Sequence, residues 1–179
     1  MPSCSAALQG PGLVIATDGS ANTLPNATSN AERWASAHPH AAPIRVAQLR
    51  WGDGAEGTVL EAVGEELGAK ISAPVDVILA ADTIYVLDNP GGWGKFLSTV
   101  VALSAPHTLI LLTYTDRGHH KTWTRFLAQR VEAFFHVTEV APHLLHPYAH
   151  PGTPGRLEQL TPSVRIYCWA RKQAAAILA

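Results

Sequence analysis

The sequence predicts an α/β fold built on a mostly parallel sheet, and three features predict it. Strand-like runs alternate with helix-spaced segments along the 179 residues, the order that gives crossover connections and a sheet wrapped on both faces. The run Val77-Ile78-Leu79-Ala80-Ala81 has no polar alternation, as in a strand covered on both faces, and a carboxylate, Asp82, ends it. Residues 164–170 (V-R-I-Y-C-W-A) do alternate, which marks a last strand expected to run antiparallel. One domain is expected over residues 1–179, a length that suits a single hydrophobic core.

In chain order, residues 3–9 fit the last turns of a helix, and Gly10-Pro11-Gly12 stops it with a turn. Residues 13–17 (L-V-I-A-T) form a short buried strand that ends in Asp18. Asp18-Gly19-Ser20 opens the next helix, 22–37, with a capping residue ahead of it, and His38-Pro39 closes it. Residues 44–49 are the next strand, followed by Arg50-Trp51-Gly52-Asp53. Helical spacing over 58–67 ends at Gly68, and Pro74 leads into the central strand. Beyond Tyr85, Asn89-Pro90-Gly91-Gly92 is a loop, and residues 93–103 have a helical apolar face. Residues 108–114 (T-L-I-L-L-T-Y) make another buried strand. After a polar loop at 116–120, residues 121–135 form an amphipathic helix with Trp123, Phe126, Leu127, Val131 and Phe134 on its apolar side. A short strand at 137–140 precedes residues 142–162, rich in Pro, Gly and His, a loop length usually reserved for function or mobility. A tail at 172–179 follows the last strand, and no internal repeat is present.

The net charge is −1 and the isoelectric point about 6.7, with Lys and Arg scattered. Neither nucleic acid nor an anionic membrane surface is an expected partner. Cys4 and Cys168 lie far apart and form no metal-ligand spacing, which suits a reducing compartment and free thiols, and no disulfide framework is implied. The uncharged run 96–115 is long enough to suggest a membrane span, but Pro106 and His107 break it into helix, turn and strand. The N-terminus lacks a basic segment followed by an apolar one, so no secretory leader is expected. The expected location is the cytoplasm, with the nucleus as a second.

Asp18, Trp51 and Asp82 each follow a strand and so fall at one edge of the expected sheet, with Tyr85 a turn beyond. A carboxylate at a strand end is the group a nucleotide-binding α/β fold uses to accept hydrogen bonds from ribose hydroxyls. An aromatic ring one strand over can cover an adenine face. Each residue also has a plainer reading: Asp18 as a helix N-cap, Trp51 as core or lid packing, and Asp82 as the start of a surface loop.

Together, A-T-D at 16–18, R-W-G at 50–52, L-A-A-D-T-I-Y at 79–85 and V-R-I-Y-C-W near the end resemble the lysine methyltransferase 21-like family. These are seven-β-strand, S-adenosylmethionine-dependent protein methyltransferases. The resemblance runs from about Leu13 to Lys172, and its most specific parts are W-G after one strand and A-D-x-x-Y after the next. It implies that Asp18 holds the ribose hydroxyls of S-adenosylmethionine, that Trp51 contacts the adenine side and that Ala81 offers backbone to the cofactor. It also implies that Asp82 and Tyr85 face the acceptor side chain of a non-histone protein such as a translation factor or chaperone. The expected reaction is an in-line displacement at a sulfonium methyl, for which the amine must be neutral and aligned.

The family's glycine-rich loop should precede the Asp18 strand by a full helix, whereas Gly10 and Gly12 stand next to Leu13 and match the turn into the second strand. The expectation is therefore a Rossmann-like class I methyltransferase sheet, mostly parallel with an antiparallel C-terminal strand. Its first strand and Gly-rich loop are expected to be missing by N-terminal truncation. Cofactor binding would be weakened, and the gap would expose unpaired backbone in the sheet. The alternative is a truncated isoform or a catalytically inactive methyltransferase-like interaction module, working through the Pro/His loop and exposed edges. A metal site at His143, His146 and His150 would need one helical face, which Pro142, Pro147 and Pro151 oppose, so no metal is expected. Arg125 and Arg130 fit a solvated face.

Overall fold

The computed structural model describes residues 12–81, 83, 90–115, 120–141 and 164–173. The expected helix turns at 3–9, the Gly10-Pro11 pair, Asp82, Tyr85, the whole Pro/His loop at 142–162 and the end of the tail lie outside these residues. The chain divides into two compact units, residues 1–73 with 94–102, and residues 74–93 with 103–179.

In the first unit, β1 (Val14–Asp18) pairs in parallel with β2 (Ile44–Gln48), Val14 opposite Ile44 and Asp18 opposite Gln48. The connection between them is helix α1 (Leu24–Ala37), as a parallel pair requires. Ala31 of α1 and Ile44 form the buried centre, with Val14, Ala16, Trp34 and Val46 packed around it. Pro25 sits in the first turn, where its missing N–H is no loss. At the other end His38 stops the helix: its N–H donates to the Trp34 and Ala35 carbonyls, and its ring stacks on Trp34 at 3.8 Å. Helix α2 (Glu56–Leu67) buries Leu60 and Val63. It ends where expected, at Gly68 in the left-handed region (φ +62°), whose N–H donates to the Glu65 carbonyl. Helix α3 (Pro90–Leu103) gives its residues 94–102 to this unit, with Phe96, Leu97, Thr99 and Val100 buried.

The second unit is a four-stranded sheet in the order β3-β4-β6-β5. Strands β3 (Val77–Ala81) and β4 (Leu109–Thr115) are parallel, Val77 opposite Leu109 and Ala81 opposite Thr113. Strand β6 (Val164–Arg171) runs antiparallel to both β4 and β5 (Phe135–Glu139), as expected of the last strand. The buried hydroxyl of Thr108 fixes the turn into β4 by accepting from the Ala105 N–H (2.9 Å) and donating to the Val75 carbonyl (2.6 Å). One face of the sheet carries Ala80, Ile110, Leu112, Tyr114, Tyr167, Trp169 and Phe135, all buried with Trp123, Leu127 and Val131. Trp123 lies on helix α4 (His120–Phe126), in stacked contact with Tyr114 (5.1 Å) and Trp169 (6.3 Å).

Two expectations need correction here. The 77–81 run is covered on one face only: Ala80 is buried, but Val77 and Leu79 are 51% and 44% exposed. The open face continues onto the interior strand β4, where Leu109, opposite Val77, is 42% exposed. The helix expected over 121–135 ends early. After Phe126 the chain widens into a π-helical turn (Leu127–Val131), the Glu132 N–H donating to the Leu127 carbonyl five residues back. That extra residue and the turn after it place Phe135, not Phe134, in the core, and Phe134 is exposed.

Among the described residues the strands form two hydrogen-bonded sheets, β1-β2 in the first unit and β3-β4-β6-β5 in the second. The parallel pairs, the crossover helices and the antiparallel β6 are those of the expected α/β fold. The run at 96–115 is the helix, turn and strand that Pro106 and His107 impose, and no helix among the described residues is long and apolar enough to cross a membrane.

Candidate functional site

The C-terminal ends of β1 and β2 form a rim that is held together by polar bonds. Leu49 donates its N–H to the Asp18 carbonyl (3.0 Å), continuing the ladder one step past the strands. The Gly19 carbonyl accepts from two side chains of the other strand's end, Gln48 Nε2 at 3.0 Å and Arg50 Nε at 3.3 Å. Asp18 itself is exposed, and its Oδ1 accepts the Ser20 N–H at 2.8 Å, closing an Asx turn. Helix α1 starts only at Leu24, and its cap position is Thr23, so Asp18 is not the cap of that helix. Its carboxylate is a strand-end group with one oxygen engaged locally by a backbone donor and its face open to solvent.

Trp51 stands three residues past Gln48, on the same rim. Its ring is half-buried and meets Phe96 edge-on, with centroids 5.0 Å apart at 68°. The backbone beside it approaches α3 closely. Gly52 has φ +76°, and a Cβ there would stand 2.7 Å from Lys95 Cγ and 3.1 Å from Lys95 Cα. Glycine is therefore needed at 52 for both its conformation and its lack of a side chain. The Gly52 N–H donates to Thr99 Oγ1 (3.0 Å), and the Thr99 hydroxyl donates to Glu56 Oε1 (2.5 Å). Glu56 and Thr99 are only 6% and 3% exposed.

The structure thus brings Asp18 and Trp51 to one rim. Ala81 ends β3 in the other unit, exposed and paired with Thr113. Thr83, half-buried, has a hydroxyl without a hydrogen-bond partner. Asp82 and Tyr85 lie outside the described residues, as do the histidines at 143, 146 and 150. Among the described residues no three His, Cys, Asp or Glu side chains are grouped as metal ligands. Glu56, Phe96 and Thr99 were not apparent from the sequence, because the partners in these contacts lie more than forty residues apart (47 for Gly52 and Thr99) with no shared periodicity. The only local signal is the W-G pair.

Chemically, an exposed carboxylate and a half-exposed indole on one rim can accept hydrogen bonds from a diol and lie against a planar heterocycle.

No protein-family model and no curated protein matches the chain. Among solved structures, a candidate rRNA-methylase from Clostridium thermocellum aligns with 94% of this chain and 79% of its own, at 14% identity and a TM-score of 0.53. The N-methyltransferase NodS from Bradyrhizobium japonicum WM9 aligns with 89% of this chain and 73% of its own, at 13% identity and a TM-score of 0.50. The chain shares the Rossmann-like α/β fold of these two proteins.

Proposed function

We propose that the chain is the core of an S-adenosylmethionine-dependent protein N-methyltransferase whose acceptor is a lysine of a non-histone protein. The observation that carries this reading is the pairing of Asp18 and Trp51 on the rim of a methyltransferase fold. The carboxylate would accept the ribose hydroxyls, and the indole would lie against the adenine. Ala81 at the end of β3 would offer backbone. Bound S-adenosylmethionine would supply an electrophilic sulfonium methyl group. The chain's own part is to hold the nucleoside and exclude water, and to align the acceptor nitrogen with the methyl carbon. A lysine must lose its proton before its lone pair can attack, and Asp82, with Tyr85 beside the acceptor, would orient the amine. Lysine as acceptor, translation factors or chaperones as substrate class and the cytoplasm as location rest on the resemblance to the lysine methyltransferase 21-like family. The near-neutral charge favours a protein over RNA.

A second reading is a methyltransferase-like interaction module without catalysis, which is supported by β1 and β3 each being paired on one side only among the described residues. Calorimetric titration with S-adenosylmethionine separates the two. The enzyme reading expects saturable binding by the wild-type chain and a loss of about tenfold to a hundredfold in Asp18→Ala, the usual worth of a hydrogen bond to a charged group. Trp51→Ala should lose a similar amount. A folded wild-type chain that gives no binding heat leaves the interaction module.

A further inference from the structure

The bonds behind Trp51 form a relay with a fixed direction. Thr99 has one hydroxyl proton, and an ionised carboxylate can only accept. With the Thr99 hydroxyl donating to Glu56, the lone pairs of Thr99 Oγ1 are left to accept from the Gly52 N–H. Burying a carboxylate is costly unless its bonds are made. Glu56 is placed to lower that cost, in the first turn of α2 where the helix N-terminus favours negative charge. The relay therefore ties three segments: the Trp51 turn, the start of α2 and the middle of α3. Phe96 adds an edge contact to the indole itself, one helical turn before Thr99.

We infer that Glu56 and Thr99 are positioning residues for Trp51, fixing the turn so that the indole is already oriented for the cofactor's adenine before binding. This rests on the proposed function, since it takes Trp51 as the adenine contact. A tie serving only the stability of the unit would leave the affinity for nucleoside unchanged once the protein is folded. A positioning tie would not, because a ring that must be ordered on binding costs affinity.

The test uses the full chain with Thr99→Val, which keeps the shape and removes the hydroxyl, and Thr99→Ser, which restores it. Thr99→Ala, a strong helix former, replaces Thr99→Val if that variant does not fold. In the free protein, amide hydrogen exchange at Gly52 should quicken at least tenfold in Thr99→Val. Quenching of the Trp51 fluorescence, isolated by difference against Trp51→Phe in each background, should rise. Thr99→Ser should return both to wild-type values. In calorimetry with S-adenosylmethionine, Thr99→Val should bind about tenfold more weakly and Thr99→Ser within about twofold of wild type. Equal affinity of a folded Thr99→Val and the wild type overturns the inference and leaves the proposed function standing. A wild-type chain that does not bind overturns the adenine role of Trp51, and the inference with it. Unchanged Gly52 exchange in Thr99→Val overturns the relay irrespective of any ligand.

Discussion

The two faces of the four-stranded sheet carry similar side chains and have different fates. Along β3 and β4 the residues alternate, so Ala80, Ile110 and Leu112 point to one side while Val77, Leu79 and Leu109 point to the other. The first side is sealed by Trp123, Leu127 and Val131, and Ile110 and Leu112 have no exposure at all. On the second side Val77, Leu79, Leu109 and Val164 are all exposed. Leucine occupies both faces, so composition does not decide which is the core. What decides it is the cluster of rings around Trp123, which meets Trp93, Tyr114, Phe126, Tyr167 and Trp169 and brings the helix down on one side only.

The strongest way to break this comparison is to remove the ring at its centre. Trp123→Ala should cost about 3–5 kcal/mol, the range for deleting a buried large aromatic, read as a fall in the denaturant midpoint. A loss below about 1 kcal/mol would mean that the ring cluster is not what seals this face. The comparison sharpens with one substitution made on both sides. Leu112→Ala should cost about 2–5 kcal/mol. Leu79→Ala, on the neighbouring strand and the opposite face, should stay within about 1 kcal/mol, since its side chain already meets water. Equal losses in the two variants would show that Leu79 is covered in solution.

How much of this the sequence disclosed follows from the kind of interaction involved. The alternation of elements, the Gly68 stop, the antiparallel last strand and the break at Pro106 were legible because each depends on local chemistry or on a period. Continuous apolarity at 77–81 was legible too, but its meaning was not. An apolar run fits a strand with two covered faces, and β3 is covered on one, as Val77 and Leu79 are exposed while Ala80 is buried. The 121–135 segment erred in a different way. Its 3.6-residue pattern is real up to Phe126, but the π-helical turn at Leu127–Val131 shifts the phase, so Phe135 enters the core in place of Phe134. At the candidate site Asp18 and Trp51 were visible because strand ends are visible. The Gly52–Thr99–Glu56 relay was not, since a polar contact between segments separated by 43 and 47 residues leaves no periodic trace.

Polar contacts on the sheet should matter least. Arg165 Nη1 donates to both carboxylate oxygens of Glu139 at 3.0 Å across the β5–β6 pair, with both side chains partly exposed. Glu139→Gln should therefore cost less than about 1 kcal/mol, and less still in high salt. A larger loss would place this ion pair among the determinants of the fold, beside Trp123.

Tyr167 joins the two themes, because it lies on the covered face, opposite Glu139 in the β5–β6 register. Burial pushes its hydroxyl above the ordinary value of 10.0, and the Glu139 carboxylate adds to the shift. The folded state thus holds the phenol proton more tightly than the unfolded chain does. That contribution to stability is complete below the ordinary value and is lost as pH rises through the raised one. In an ultraviolet titration, Tyr167 should ionise above the ordinary value, in step with a fall in stability. In Tyr167→Phe the late signal should fall by one tyrosine. If every tyrosine titrated together at the ordinary value while the chain stayed folded, water would have reached the hydroxyl, and the covered face would be open at that strand.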